Sequence, residues 1–267
     1  MLKPGAQTIE ASAYEVIVTD DSKEGLAQQL IQEKYIWATW VKGPTKGPAA
    51  NRNNGAKYAK GEWLVFIDDD CEPGTDLIKT YSHAIINYKE VRVFEGYINV
   101  DRPQRNFMEE SPINTTGGHL WSCNFMIKKD IFLKTLEGFD EKYPFAAMED
   151  VDLYYRLKKL GETVEFLQNA CVIHPWRLQN RPVDLGKKRF ASLLYFLKKY
   201  PEKRKKYNAA YFFKAFLNMG SGLLKNAVGF RFRGFSKRII VMFMQLYFAL
   251  RVSLKKHSNI LQKNTAN

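Results

Sequence analysis

The chain has 267 residues, 45% of them hydrophobic and 14% aromatic, which is enough to bury a full core, so we expect a folded chain and not a disordered one. Its three cysteines, Cys71, Cys123 and Cys171, form no C-x-x-C pair, which argues against both a disulfide framework and a zinc knuckle. The first thirty residues contain no apolar run resembling a secretory signal. We therefore expect a protein of the reducing cytoplasm.

The net charge of +13 is divided unevenly along the chain. Residues 177–267 contain 21 Lys or Arg and only two acids, a net charge of +19, whereas residues 1–176 carry 20 basic and 26 acidic residues, a net charge of −6. This change in composition predicts a module boundary. We expect one domain over residues 1–176 and a basic, aromatic-rich helical extension over residues 177–267.

Two short apolar runs, residues 14–19 and 63–67, each end in acidic residues and predict buried strands. Helical patterns at residues 25–33 and 49–59 lie between them, and strands that alternate with helices favour an α/β fold with a mostly parallel sheet. Ligands of such sheets bind at the carboxyl ends of the strands, where both acidic tips would lie. Further along the chain we predict a helix at 73–88, strands at 92–100 and 123–127, and a helix from about residue 130.

The triplet Asp68-Asp69-Asp70 follows the second of these strands. Three adjacent carboxylates repel one another, and a bound divalent cation would relieve that repulsion. Mg²⁺ or Mn²⁺ held by one or two carboxylates and by substrate phosphates is the arrangement expected for a nucleoside diphosphate. The same triplet also fits a solvated loop whose acids cap the next helix, so the triplet alone leaves both interpretations open.

Three other features could take part in chemistry. Glu149 and Asp150 lie in the first turn of a helix that ends near Gly161, where a carboxylate can act as a general base or can simply compensate the helix dipole. Arg52 lies at a predicted helix start, suited to a phosphate or to a plain surface role. His174 ends an apolar run and could complete a metal site with Asp70, or could be structural.

The order of the motifs carries more information than any single one. The blocks are Y-E-V-I-V-x-D-D-S, G-x-x-x-x-R-N-x-G, G-E-W-L-V-F-I-D-D-D, G-F-D-E, E-D-V-D-L-x-x-R-L and I-H-P. Over roughly residues 7–176 this series resembles the family 2 glycosyltransferases, which have the GT-A fold. The resemblance implies an inverting transfer from a nucleoside diphosphate sugar, usually a uridine or thymidine derivative, to a hydroxyl of a glycan or lipid-linked acceptor.

The resemblance also implies a role for individual residues. Asp21 would recognise the base, Arg52 and Asp69 would bind the nucleotide and its ribose, and Asp68 would support the acidic cluster of a D-x-D-type motif. Asp70, Asp68 and His174 would bind Mg²⁺ or Mn²⁺. Asp150 would be the catalytic base and Glu149 would place the acceptor. Residues 117–122 occupy the stretch that usually shapes the acceptor pocket.

One departure from the family pattern concerns its opening strand, of the type S-I-V-I-P-T-Y-N, which has no equivalent here. Either the sequence lacks its true N-terminus, or residues 1–11 are rearranged, or another subunit fills the gap. A catalytically impaired member that acts as a scaffold or partner subunit is therefore a rival interpretation.

The basic extension alternates aromatic and basic stretches and includes an apolar run, residues 239–250, that as a helix would span about 18 Å and so be too short to cross a bilayer. Two interpretations fit: peripheral docking on the anionic inner face of the plasma membrane, or a helical extension that packs on the catalytic domain with its charges solvated. A nucleic-acid-binding protein is a further rival, but it leaves the acidic motifs unexplained, so no nucleic acid partner is expected.

Overall fold

The computed structural model describes residues 7–22 and 24–264. The chain opens with a parallel pair of strands, β1 (Val16–Asp20) and β2 (Ala38–Lys42), that are joined through helix α1 (Leu26–Lys34). Helix α2 (Pro48–Tyr58) follows and begins at a proline, which suits the first turn of a helix. The predicted strand and helices of this region are confirmed, with their ends shifted by one or two residues.

A five-stranded sheet in the order β3-β7-β5-β8-β4 forms the centre of the fold. The remaining elements in chain order are β3 (Trp63–Phe66), β4 (Glu72–Pro73), α3 (Leu77–Asn87), β5 (Val93–Asn99), β6 (Glu109–Glu110), β7 (Phe125–Lys128), α4 (Glu149–Lys159), β8 (Val164–Ile173), β9 (Arg177–Leu178), α5 (Pro182–Lys199), α6 (Ala209–Asn226) and α7 (Phe235–Asn264). The helix predicted from residue 130 is a single π-type turn, Ile131–Thr135.

The α/β expectation is confirmed, but the sheet is mixed where we predicted mostly parallel strands. Within the described five-stranded sheet, β5 and β8 are the one parallel pair, whereas β3/β7, β7/β5 and β8/β4 are antiparallel. The reason lies in the connections, because parallel neighbours need a long crossover such as α4, and the described residues between β5 and β7 contain no helix. Within the described part of the chain, no strand links β1 to β3, so the β1/β2 pair is a separate sheet.

Alternating side chains of the central strands fill two cores, one on each face of the sheet. Leu64 and Phe66 point to one core, and their neighbours Trp63 and Val65 point to the other, as the two-residue period of a strand requires. The first core is rich in phenylalanine: Phe66 contacts the rings of Phe125, Phe132 and Phe139. These cores fix the ends of β3 and β8, from which the acidic triplet and His174 project.

The described residues divide into two compact units. The sheet unit contains residues 7–101 and 111–175, and the helical unit contains residues 102–110 and 176–264. Residues 102–110, which we placed in the first domain, join the helical unit because Phe107 and Met108 pack with Leu223 and Ala227. No helix in the described residues has the length and apolarity needed to cross a membrane.

Candidate functional site

The acidic triplet lies in the loop between β3 and β4, and its three carboxylates have different surroundings. Asp68 accepts a 2.6 Å hydrogen bond from Nη2 of Arg52 in a half-buried ion pair. Asp69 is exposed to solvent. Asp70 lies beside His174, with 3.6 Å between its Oδ1 and the histidine Nε2. The three carboxylates therefore have separate surroundings and do not act as one cluster of negative charge.

Helix α2 sends four consecutive polar side chains, Asn51 to Asn54, in different directions. Asn51 donates to the carbonyl of Thr19 in β1, Asn53 is buried against the Phe139 backbone, and Asn54 donates to the carbonyl of Lys42 in β2. Arg52 turns to the acidic loop. Burial opposes its charge, but the carboxylates of Asp68 and Asp150 raise the pKa of the guanidinium above its ordinary value.

The N-terminus of α4 presents Glu149 and Asp150 to the same region. The helix is preceded by Met148 in a left-handed conformation, with φ of 74°, a strained geometry for a residue with a Cβ. Ser122 donates to Oδ2 of Asp150 at 3.3 Å. Within the described residues, the buried oxygens Oδ1 of Asp150 and Oε2 of Glu149 accept no hydrogen bond, and neither does buried Nη1 of Arg52 donate one.

Both carboxyl groups hold their protons at a higher pH than is usual. Burial, followed by the charge of Asp150, raises the pKa of Glu149 to about 7. Burial raises the pKa of Asp150 to about 6, although Arg52 and the hydrogen bonds from Ser122 act in the opposite direction. A carboxylate with a pKa close to neutrality is suited to accepting a proton from a hydroxyl group.

A group of potential metal ligands lies at the end of β8. One ligand atom from each of Asp70, Cys71 and His174 can be chosen so that all three lie within 4.8 Å of one another. The strand pairing of Glu72 with Ile173 holds the acidic loop against this histidine. Asp68, which we expected to share the metal, instead binds Arg52.

The surroundings of His174 fit a metal ligand. Its Nδ1 lies 2.8 Å from the carbonyl oxygen of Pro175, and since a carbonyl only accepts, Nδ1 must carry the hydrogen. In the neutral imidazole, Nε2 then directs a lone pair at the carboxylate of Asp70, and a cation between the two would satisfy both. Histidines that bind metals commonly donate their other nitrogen to a backbone carbonyl in this way. The nitrogen and oxygen donors suit Mn²⁺ better than Mg²⁺, which prefers oxygen alone.

Asp21 does not reach the acidic loop but binds the segment that precedes α2. Its two carboxylate oxygens accept hydrogen bonds from the backbone N–H groups of Thr45, at 2.8 Å, and Gly47, at 3.2 Å. These contacts order the entry to the helix that carries Arg52. The structure thus brings Arg52, Asp68, Glu149 and Asp150 together, with Asp70 and His174 in the adjoining loop, and leaves Asp21 at the β1/β2 sheet.

Residues 117–122 are held by a carboxylate that the sequence did not single out. Buried Glu95 of β5 accepts hydrogen bonds from the backbone N–H groups of three consecutive residues, Gly118, His119 and Leu120. This segment carries Ser122, the partner of Asp150, and a stacked pair of rings, His119 and Trp121, whose centroids are 5.6 Å apart. In the sequence, the one sign of this role is that Glu95 is an acidic residue in the middle of a mostly apolar predicted strand.

The other acids and amides of the motifs have structural partners. Asp152 is fully buried and binds Arg156, which also donates to the carbonyls of Leu136 and Gly138. Asn53 donates hydrogen bonds to the carbonyl of Phe139 and to the carboxylate of Glu141. These contacts join the motif that contains Arg52 to the G-F-D-E block. The sequence analysis did not predict Cys71 as a potential metal ligand, although it named the adjacent Asp70 as one.

Comparisons with known proteins agree on the type of domain. The sequence profile described as "Glycosyl transferase family 2" matches residues 6–135. The chain is 30% identical to an uncharacterized glycosyltransferase of Haemophilus influenzae over 167 residues, which are 55% of this chain and 53% of that protein. It is 27% identical to a poly(ribitol-phosphate) beta-glucosyltransferase of Bacillus spizizenii, over 58% of this chain and 29% of that protein. The chain thus spans about half or less of these relatives.

Two solved structures resemble the fold. One is S. aureus TarS in complex with UDP-GlcNAc, with a TM-score of 0.51 and 18% identity, covering 72% of this chain and 60% of that one. The other is a GalNAc transferase solved with UDP, GalNAc and Mn²⁺, with a TM-score of 0.52 and 18% identity, covering 65% of this chain and 40% of that one. At such identities the likeness concerns the fold alone.

Proposed function

We propose that the chain, which matches the profile of glycosyl transferase family 2 and has the GT-A fold, transfers a sugar from a nucleoside diphosphate sugar to an acceptor hydroxyl. We propose a UDP- or dTDP-type donor, inversion at the anomeric carbon and dependence on a divalent metal. The observation that carries the proposal is the meeting of Arg52 and Asp68 with the Glu149-Asp150 pair, next to Asp70 and His174.

In this proposal Asp150 is the catalytic base. Its buried Oδ1 accepts the acceptor's hydroxyl proton while the acceptor oxygen attacks the anomeric carbon from the side opposite the diphosphate. The bond from that carbon to the diphosphate oxygen breaks as the new bond forms, which inverts the configuration. Ser122 orients the carboxylate through its hydrogen bond, and Glu149 helps to place the acceptor.

The donor would lie along the acidic loop. Asp69 is exposed to solvent and so accessible to a ribose hydroxyl, and Nη1 of Arg52 is available to the nucleotide while Nη2 keeps Asp68 in place. Asp21, which orders the turn before α2, would recognise the base at the edge of the β1/β2 sheet. Asp70 and His174 would hold Mn²⁺ or Mg²⁺, with Cys71 beside them and Asp68 in support. When bound, the cation would stabilise the negative charge of the departing diphosphate.

We further propose that the catalytic domain lies within residues 1–176 and that the basic extension, residues 177–267, associates peripherally with the inner face of the plasma membrane. A glycan or lipid-linked acceptor of the cell envelope would be presented there. The support is the charge of the extension, because the anionic lipids of that leaflet attract basic segments.

The test is release of free sugar and nucleotide from a panel of UDP-, dTDP- and GDP-sugars, with and without Mn²⁺. We expect Mn²⁺-dependent release by the parent, and a reduction of about 10²- to 10⁴-fold for Asp150→Asn. Asp70→Ala should lose the response to Mn²⁺, and Asp184→Asn, an exposed substitution in α5, should behave like the parent. Binding of the donor without any turnover, even with acceptor present, would favour the scaffold interpretation.

A further inference from the structure

Helices α6 and α7 form an antiparallel hairpin. Phe212, near the start of α6, contacts Phe248 in the middle of α7, whereas Leu223, near the end of α6, packs with Ile239 in the first turns of α7. One side of this hairpin packs on α5, since Phe190 stacks on Phe248 at 4.1 Å. The core of the helical unit therefore lies between α5 and the hairpin.

The opposite side of the hairpin is apolar and exposed. Its residues recur at helical spacing, three or four apart along α7, which places them on one stripe of each helix. They are 51% to 84% exposed. We define this hairpin face as Phe213, Leu217 and Leu224 of α6 with Ile240, Phe243, Tyr247, Leu250 and Leu254 of α7.

The two stripes lie on the same side of the hairpin. The ring of Phe216 bridges them, because its centroid is 6.2 Å from that of Phe213 and 5.6 Å from that of Phe243. Both of these outer rings are about half exposed. The face is thus a continuous apolar surface and not two separate stripes, and contiguous exposed apolar surfaces of this kind mark sites of interaction.

The charged residues of the hairpin itself have a single sign. The last acidic residue of the chain is Glu202, and no Asp or Glu follows it. The turn between the helices carries Arg231 and Arg233 on either side of exposed Phe232. Lys214, Lys225, Lys237 and Arg251 lie on the helices themselves.

These observations favour an anionic lipid surface over a second copy of this chain as the partner of the hairpin face. Pairing the α7 stripes of two copies would bring basic flanks together with no acid on either hairpin to oppose them, which is destabilising. A nucleic acid would use the basic residues but would leave the apolar face in water. An amphipathic surface with basic edges instead buries its apolar side chains at the boundary of headgroups and acyl chains.

We propose that the hairpin face enters the outer part of an anionic phospholipid leaflet, with Phe243 and Leu250 inserted and with Arg231 and Arg233 bound to lipid phosphates. This inference rests on the proposed membrane association and deepens it by naming the surface. It does not depend on the glycosyl transfer chemistry, which lies in the sheet unit.

The experiment is flotation of the full chain with vesicles of phosphatidylcholine alone and with vesicles that contain equal parts of phosphatidylglycerol. We expect binding only to the anionic vesicles. Phe243→Ser and Leu250→Ser should each weaken it by about fivefold, because each removes a half-exposed side chain available for burial. Arg231→Gln and Arg233→Gln should also cost about fivefold each and should reduce the salt dependence.

Matched controls come from exposed residues of the sheet unit. Ile86→Ser and Lys89→Gln should bind vesicles like the parent. If the parent itself does not float with anionic vesicles, the proposed membrane association is wrong. If the parent floats and the double variant Phe243→Ser/Leu250→Ser floats equally well, association stands and the hairpin face is wrong.

Two further outcomes would overturn the inference in favour of another occupant. A parent dimer in light scattering that becomes monomeric in the Phe243→Ser/Leu250→Ser variant, without any vesicle binding, would assign the face to a second copy of the chain. Tight binding to a random DNA duplex that excludes vesicles would assign the basic edge to nucleic acid. Release of free sugar from the nucleotide sugar by the double variant, at the parent rate, would show that its catalytic unit is folded.

Discussion

The burial of Glu149 leads to a prediction about stability and pH. The pKa of this group is about 7 in the folded chain, against an ordinary value of 4.5. Between these two pH values the Glu149 carboxyl is ionised in the unfolded chain but protonated in the folded chain. Raising the pH through this range therefore favours unfolding. A difference of about 2.5 pH units at about 1.4 kcal/mol each corresponds to about 3 kcal/mol of stability that is present near pH 4 and lost by about pH 8.

Glu149→Gln removes the charge and keeps the shape, so the variant should gain about 3 kcal/mol over the parent as the pH rises from about 4 to about 8. Urea unfolding followed by tryptophan fluorescence measures this, because four of the five tryptophans lie in the sheet unit. Glu90→Gln, an exposed substitution, is the control and should show no such trend. A stability difference between Glu149→Gln and the parent that is the same at both pH values would refute the reasoning.

Three other substitutions test the contacts around the site. Glu95→Gln should lower the free energy of unfolding by about 2 kcal/mol in calorimetry, because an amide cannot accept all of the backbone N–H bonds to Gly118, His119 and Leu120; no change would contradict this role. Gly138→Ala should cost more than about 1 kcal/mol, since φ is +76° and the added Cβ would lie 2.3 Å from Oδ1 of Asn53; an unchanged melting temperature would argue against it. Cys71→Ser should abolish a preference for Cd²⁺ over Mn²⁺ in calorimetric titration, because thiolates favour soft metals, and retention of that preference would remove Cys71 from the cluster.

The sequence predicted most elements because their periodicity reflects burial directly. The predicted helix carrying Glu149 and Asp150 is confirmed, with the leucines at 153 and 157 buried and with Gly161 in a left-handed conformation after its end. Strand direction was not predictable in the same way, since an apolar run has the same pattern in either direction. The antiparallel entry of β7 between β3 and β5 depends on the connection that precedes it.

The candidate site was predictable as a set of residues but not as a set of contacts. The sequence suggested that His174 lies near Asp70, but the pairing of Arg52 with Asp68 depends on side-chain directions that only the packed helices and strands determine. The role of Glu95 could not be assigned from the sequence, because it binds backbone N–H groups, which leave no trace in the residue types that carry them; only its position as a glutamate within a mostly apolar strand marks it out. The roles assigned to the site residues stay predictions until the variants above are measured.

The contacts of helix α2 limit where residues can be inserted into or deleted from this chain. Successive residues of a helix project about 100° apart, so Asn51 to Asn54 reach around most of the circumference to Thr19, Asp68, Phe139 and Lys42. Inserting or deleting one residue between Asn51 and Asn54 would turn the side chains on one side of the change by about 100° relative to those on the other, so the four contacts could not all be kept, whereas a single substitution removes only one. We therefore expect natural length variation in this chain to fall in its loops and never within α2.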